Sequence, residues 1–322
     1  MTSEFDLIRE YFTQPAQHSN LSVGDDAALI SVASGMELAI SADMLVAGTH
    51  FFHDADAYKL GWKSLAVNVS DMAAMGANPK WATLAIALPH ADKDWLAEFS
   101  RGFFTCVKAF NIDLIGGDTT RGPLTISVQI MGEVPQGTAT KRSGAKAGDD
   151  IWVSGMLGDA ALALAHMQGK LHDKLTIDDG YIEYCLQALH TPKPRVELGI
   201  ALRNIATSAI DISDGLLSDL GHILKASGLG AKVHLNKLPT SAFINQHLHE
   251  KYIQQYVLAG GDDYELCFTA PASDRKQIIN LSHQLNLTLT NIGEITATTE
   301  LFIYDTSQKT ISFNKTGYDH FA

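Results

Sequence analysis

The chain is 322 residues long, 46% hydrophobic and 19% charged, with a formal net charge of -12 and a sequence pI near 5.4. That length fits two domains of ordinary size, and the apolar content excludes a disordered chain. The acidic balance, with no extended basic run, excludes nucleic acid or an anionic membrane as a partner.

The opening "MTSEFDLIREYF" reads as a short amphipathic helix and lacks the basic start and apolar stretch of a signal peptide. No window reaches the roughly 20 apolar residues of a membrane-spanning helix. "MELAISADM" (36–44) reads as a strand closed by an acid. From Asp56 as N-cap, a helix is expected to run through "AYKLGWKSLAVNVSDMAAMGANP" and to stop at Gly76, ahead of Pro79. It is apolar nearly all round and should be buried, with Trp62, Met72 and Met75 in the core. Ser64, Asn68 and Asp71 fall on one face as a narrow polar stripe that calls for a reason.

Strands are expected at 81–89 and 124–134, with a helix over 92–110 between them and "IDLIGGDTTRG" after it. The Gly-, Thr- and Lys-rich stretch 135–150 reads as a connector, dividing a domain at 1–137 from one at 149–322. In the second half, "IWVSG" is a strand and "DAALALAHMQ" a helix. "SAIDISDG" runs as a strand into the helix "LLSDLGHILKAS", with Leu217, Leu220 and Leu224 as its apolar face and Gly228 as its stop. A further strand leads to "LAGGDDYELCFTAP", and the end of the chain reads as a hairpin with a tail. Cys106, Cys185 and Cys267 stand far apart without CxxC spacing, which fits a reduced cytoplasm.

Six short clusters, "GDD", "SAD", "SD", "GGD", "DISD" and "GGDD", place aspartates at turns or on the polar helical stripe. Capping and turn formation account for any one of them. Together, short carboxylates flanked by glycine match what Mg2+ demands, oxygen ligands at about 2.0–2.1 Å in octahedral geometry. Glycine also lets backbone N–H groups approach phosphate. An acidic protein can then hold an anionic ligand through metal ions. A P-loop, a kinase signature set and a dinucleotide GxGxxG are absent. Lys141, Arg142 and Lys146 form a lone basic segment that offers side chains to a nucleotide's phosphates or is simply a solvated linker. His50 and His53 lack a third soft ligand nearby, so zinc is set aside.

"GDDAAL", "SADMLVAGTHF", "AVNVSDMAAMGANP", "LIGGDTTRGPL", "TKRSGAKAGD", "SAIDISDGLLSDLGHI", "GGDDYELCF" and the final "GYDHF" resemble, in order and almost from end to end, the motifs of the thiamine-monophosphate kinases, within the aminoimidazole-ribonucleotide-synthetase-like superfamily. The resemblance implies a two-domain α+β, PurM-like architecture: an N-terminal mixed-sheet domain that pairs as a homodimer and a C-terminal α/β sandwich-like domain. It implies ATP and several Mg2+ ions, with metal sites at Asp26, Ser41, Ala42, Asp43, Asp71, Asp118, Asp211 and Asp214. Gly117, Asp118, Arg142 and Ser213 would meet the nucleotide, and His50, Asp262 and Tyr318 the thiamine monophosphate. The chain departs from the family's usual threonine at Ala42, where only backbone could reach a metal, and from its frequent glutamate at Asp262.

The implied reaction moves the ATP γ-phosphoryl group onto the substrate phosphate. That phosphate has a second pKa near 6, so it is largely ionised at neutral pH and direct in-line transfer needs no general base and no covalent enzyme intermediate. Tyr318 would stack on the cationic ring and Asp262 balance its charge. A selenophosphate-forming sister enzyme would need a reactive residue near the amino terminus, whereas the first cysteine is Cys106 inside an expected helix. The purine-pathway branches share the metal ligands but not the "GYDHF" ending, and a nucleotide or metal sensor without turnover is a third reading.

Overall fold

The structure is a computed structural model that describes residues 4–171, 175–305, 307–312, 317–318 and 320. Its backbone divides into two units, residues 1–72 with 77–137 and residues 73–76 with 138–322. The first three residues of the expected opening helix, and residues 313–316, 319 and 321–322 of the expected tail, lie outside the described residues.

The first unit runs α1 (Glu4–Tyr11), β1 (Ser19–Leu21), β2 (Leu29–Ile30), β3 (Met36–Val46), α2 (Ala57–Ala74), β4 (Asn78–Leu88), α3 (Lys93–Phe110), β5 (Asp113–Arg121) and β6 (Thr125–Pro135). Helix α2 starts as expected, Asp56 accepting the Lys59 amide at 2.8 Å. It ends in a Schellman pair, Gly76 N–H to Ala73 C=O at 3.0 Å and Ala77 N–H to Met72 C=O at 2.8 Å, with Gly76 left-handed at φ 63. Met72 is buried, while Trp62 and Met75 are only partly so. Asp92 caps α3 and left-handed Asn111 closes it.

The four strands order as β3-β6-β4-β5, with β4 and β5 parallel and the other pairs antiparallel. The strand expected at 81–89 begins earlier, at Asn78, because Pro79 is accommodated beside a register shift between Pro79 and Trp81. Met44, Ser127, Ala85 and Asp118 lie in one row across the sheet. On this face Ile40 and Met44 are 55% and 56% exposed, while the opposite face is packed with buried residues such as Leu84, Ile86, Ile126 and Val128.

The second unit runs β7 (Asp149–Ser154), α4 (Asp159–Met167), α5 (Asp179–His190), α6 (Val196–Ala201), β8 (Ser208–Asp211), α7 (Leu216–Ser227), β9 (Gly230–His234), α8 (Ala242–His247), α9 (Lys251–Ala259), β10 (Leu266–Pro271), α10 (Arg275–Leu285), β11 (Leu289–Thr296), β12 (Leu301–Tyr304) and β13 (Thr310–Ile311). Its seven-stranded sheet is ordered β13-β12-β9-β11-β7-β10-β8. Helix α7 buries Leu217, Leu220 and Leu224, and left-handed Gly228 ends it. Strands β12 and β13 form the expected hairpin. The expected connector is not a loose tether: the Ala209 N–H donates to Lys141 C=O at 3.0 Å, so this stretch lies alongside β8. Cys106, Cys185 and Cys267 are all buried and free.

Candidate functional site

In the first unit, the polar stripe of α2 finds its reason at strand β3. Ser41 Oγ donates to Asp71 Oδ2 at 2.6 Å. The Asp43 amide donates to Asn68 Oδ1 at 3.1 Å, and Asn68 Nδ2 donates to Ser64 C=O at 3.1 Å. Asn68 is 1% exposed, so its two ends fasten an edge-strand amide to the helix where no water competes. Asp43 thus stands on the same strand face as Ser41, whose hydroxyl holds Asp71.

Strand alternation divides the other expected ligands. Ala42 is exposed, its methyl on the opposite face from Ser41 and Asp43. Asp118 shares the row and the open face of Met44, so this unit does not bring it together with Ser41, Asp43 and Asp71. Gly117 beside it has φ 151, and a Cβ there would meet Leu84 O at 1.8 Å, so only glycine lets β5 approach β4 this closely. Asp26 lies in the exposed turn between β1 and β2, its amide held by Asp25 Oδ1 at 2.9 Å. His50 follows β3, and its Nδ1 accepts the Val46 N–H at 3.0 Å. That bond leaves the proton of a neutral ring on Nε2, which is then a donor.

The second unit lays its two acidic motifs side by side. Ile212 N–H donates to Glu265 C=O at 2.8 Å, Tyr264 N–H to Ile212 C=O at 2.8 Å, and Asp262 N–H to Ser213 C=O at 2.9 Å. Asp262 and Tyr264 are left-handed at φ 70 and φ 49, a strained conformation for non-glycine residues that marks functional loops. Tyr318, 45% exposed, docks by its N–H on Asp214 C=O at 3.1 Å and stands edge-on to His320 at 4.9 Å. Asp211 ends β8, buried and paired with Leu266.

Burial pushes the Asp214 carboxyl above its ordinary range; His320, His222 and Arg142 oppose that push and Asp262 adds to it. Ser213, Asp214, Asp262, Tyr318 and Arg142 are thus gathered in one region of this unit. Asp219, in the first turn of α7, is pushed up to about 7 by burial and by Asp214, against the pull of neighbouring amides. Asp263 is turned inward, accepting the Gly158 N–H at 3.0 Å by Oδ1 and 3.2 Å by Oδ2.

The donors offered by both units are carboxylates, a serine hydroxyl and backbone carbonyls, the hard oxygen set that suits Mg2+ and not zinc. Among the described residues no three His, Cys, Asp or Glu side chains are grouped as a metal cage. Mg2+ is usually held by one or two carboxylates, with waters and substrate phosphates completing its shell. The Ser41–Asp71 pair with Asp43, and Asp214 with its neighbours, fit that partial ligation.

Sequence reasoning noticed Asn68 without a role and missed Asp219, His222 and His320. The spacing of Asn68 from Asp71 was the available signal for the first. An acid in the first turn of a helix that follows an acidic loop was the signal for Asp219.

Residues 24–134 match the AIR synthase related protein N-terminal domain, and residues 146–306 the AIR synthase related protein C-terminal domain. The chain is 46% identical over 323 residues to the thiamine-monophosphate kinase of Salmonella typhimurium, covering 99% of this chain and 98% of that one. The crystal structure of thiamine-monophosphate kinase from Stenotrophomonas maltophilia superposes with a TM-score of 0.83 at 47% identity, covering 89% of this chain and 91% of that one. AaThiL complexed with AMPPCP and TMP superposes at 0.75 with 29% identity, over 93% and 92% of the two chains. Together with the ordered motifs on a two-domain α+β fold, these likenesses establish that the chain belongs to the thiamine-monophosphate kinase family of AIR synthase related proteins.

Proposed function

We propose that the protein phosphorylates thiamine monophosphate with ATP, giving thiamine diphosphate and ADP, by direct in-line transfer. What carries this reading is the meeting of Asp214, Asp262 and Tyr318 on paired loops of the second unit. A phosphate-side acid, a counter-charge and an exposed ring together suit a ligand that is anionic at one end and a flat cation at the other. The full-length likeness to the Salmonella typhimurium enzyme supports the substrate.

In this reading Asp26, Ser41, the Ala42 backbone, Asp43, Asp71, Asp118, Asp211 and Asp214 hold Mg2+. Held there, Mg2+ would offset the repulsion between two phosphate-bearing reactants and steady the charge on the transferring group. Gly117, Asp118, Arg142 and Ser213 bind the nucleotide, while His50 donates from Nε2 to the substrate, Asp262 balances its ring charge and Tyr318 stacks on it. Residues 1–137 serve as the ATP, metal and dimerisation domain, and residues 149–322 supply the remaining phosphate and substrate contacts. The open sheet face with Ile40 and Met44 supports a homodimer. The enzyme is assigned to the cytoplasm; no helix among the described residues is long and apolar enough to cross a membrane.

The test is purified protein with ATP, Mg2+ and thiamine monophosphate, followed for thiamine diphosphate, with other phosphate acceptors as controls. Turnover confined to thiamine monophosphate is expected. Preference for another acceptor would sink the substrate assignment, and nucleotide binding without turnover would favour a sensor.

A further inference from the structure

Asp219 is an aspartate of the same motif as Asp211 and Asp214, yet its surroundings differ. It is 2% exposed. Its Oδ2 accepts the amide N–H of Asp214 at 3.1 Å and of Gly215 at 3.0 Å, and its own amide donates to Gly215 C=O at 3.0 Å. An oxygen that accepts two N–H bonds has used both lone pairs and is poorly placed to ligate a cation as well. The carboxylate sits in the first turn of α7, where amides without an intrahelical partner call for an acceptor.

The turn it grips is otherwise hard to hold. Gly215 has φ 118, and a Cβ there would lie 2.7 Å from the Ala259 carbonyl carbon. A chain this free in φ and ψ keeps one shape only if its neighbours impose it. Asp219 imposes it from the helix side, and the Asp262 N–H to Ser213 C=O bond imposes it from the adjoining loop.

We propose that Asp219 is a positioning residue: it binds no metal, and fixes the Ser213–Gly215 turn so that Ser213 and Asp214 are presented to the nucleotide's metal-bound phosphates. This rests on the roles proposed above for Ser213 and Asp214.

The experiment measures kcat, ATP KM and the Mg2+ requirement of full-length Asp219→Ala, Asp219→Asn and Asp214→Asn, with thermal melting as the check on folding. Asp219→Ala should raise ATP KM and the Mg2+ requirement by about 10- to 100-fold, as loss of a group supporting a metal ligand does. Asp219→Asn drops the charge but keeps an acceptor oxygen of the same reach, and should stay within about threefold of the parent. Asp219→Asn as damaged as Asp214→Asn would mean that the charge itself ligates metal, and overturns the proposal. Asp219→Ala unchanged beside a damaged Asp214→Asn also overturns it and leaves the site reading standing. Parent-like behaviour of Asp214→Asn overturns the site reading and this inference with it. Should Asp219→Ala fail to fold, the comparison of Asp219→Asn with Asp214→Asn decides alone.

Discussion

Ser41 and Asp71, thirty residues apart in sequence, meet at 2.6 Å between strand β3 and helix α2, the hydroxyl donating to Oδ2. Beside them Asn68 holds the Asp43 amide. Asp71→Asn preserves an acceptor for Ser41 and should fold normally, while removing the charge that attracts a divalent ion. Turnover should fall by about a hundredfold or more in Asp71→Asn and in Asp43→Asn, with melting temperature unchanged. Near-parental turnover in either variant would count against the metal assignment.

Glu133 and Lys80 make a test of stability away from the proposed chemistry. Burial of Glu133, 3% exposed at its side chain, favours its neutral form. The Lys80 ammonium at 2.5 Å and the Ala33 N–H at 2.8 Å outweigh burial and hold the carboxyl below its ordinary range. A depressed folded-state pKa gives stability that is complete above the unfolded value, about 4.3, and is lost as pH falls through the folded one. Glu133→Gln should therefore lose on the order of 2 kcal/mol at pH 7 and show a flatter stability profile below about pH 5. Urea melts across that range check it, and parallel profiles for the two proteins would refute it.

The sequence disclosed the elements with strong local chemistry. Asp56 and Gly228 announce their helix ends through capping, and the all-round apolar α2 could only be buried. Strands β1 and β2 were not foreseen, because three and two residues carry no readable period. The face on which Asp118 stands was equally hidden. Its parity depends on an irregularity in the β4–β5 pairing between Ala82 and Thr83, and pairing register is a long-range property. Asp219 was hidden for another reason: composition shows that a motif is acidic, but not which acid spends its lone pairs on the backbone.

Arg142 is exposed, follows the Lys141 carbonyl that accepts from β8, and lies within electrostatic reach of Asp214. Its guanidinium is therefore available to a phosphate near that acid, where forked charge-assisted bonds are strong. Arg142→Ala should raise ATP KM by about tenfold and thiamine monophosphate KM much less. Steady-state kinetics with each substrate varied in turn separate the two, and a larger effect on thiamine monophosphate would reassign the residue.

In-line transfer predicts that no phosphoryl group ever resides on the protein. A single turnover with γ-labelled ATP, quenched while product forms, should leave label only in ATP and thiamine diphosphate. Label that stays with denatured protein, and is chased into product by thiamine monophosphate, would require a two-step route.

The open face of the four-stranded sheet gives the last prediction. Ile40 and Met44 project from edge strand β3 at 55% and 56% exposure, Met44 in register with Ser127 of β6 and Ala85 of β4, and Ile40 with Met131 and Trp81. An apolar strip on a sheet face, beside an edge strand with outward amides, is costly to leave in water. If two copies cover it, each Ile or Met contributes on the order of 1 kcal/mol, since about half of its surface is already covered, and a two-fold pair buries four such side chains. Met44→Asp would place two carboxylates in that interface without disturbing the opposite, helix-covered face. Light scattering should then show a dimer for the parent protein and a monomer for Met44→Asp, with an unaltered far-ultraviolet spectrum. A parent protein that is monomeric at micromolar concentration, or a variant that remains dimeric, would place the subunit contact elsewhere or remove it.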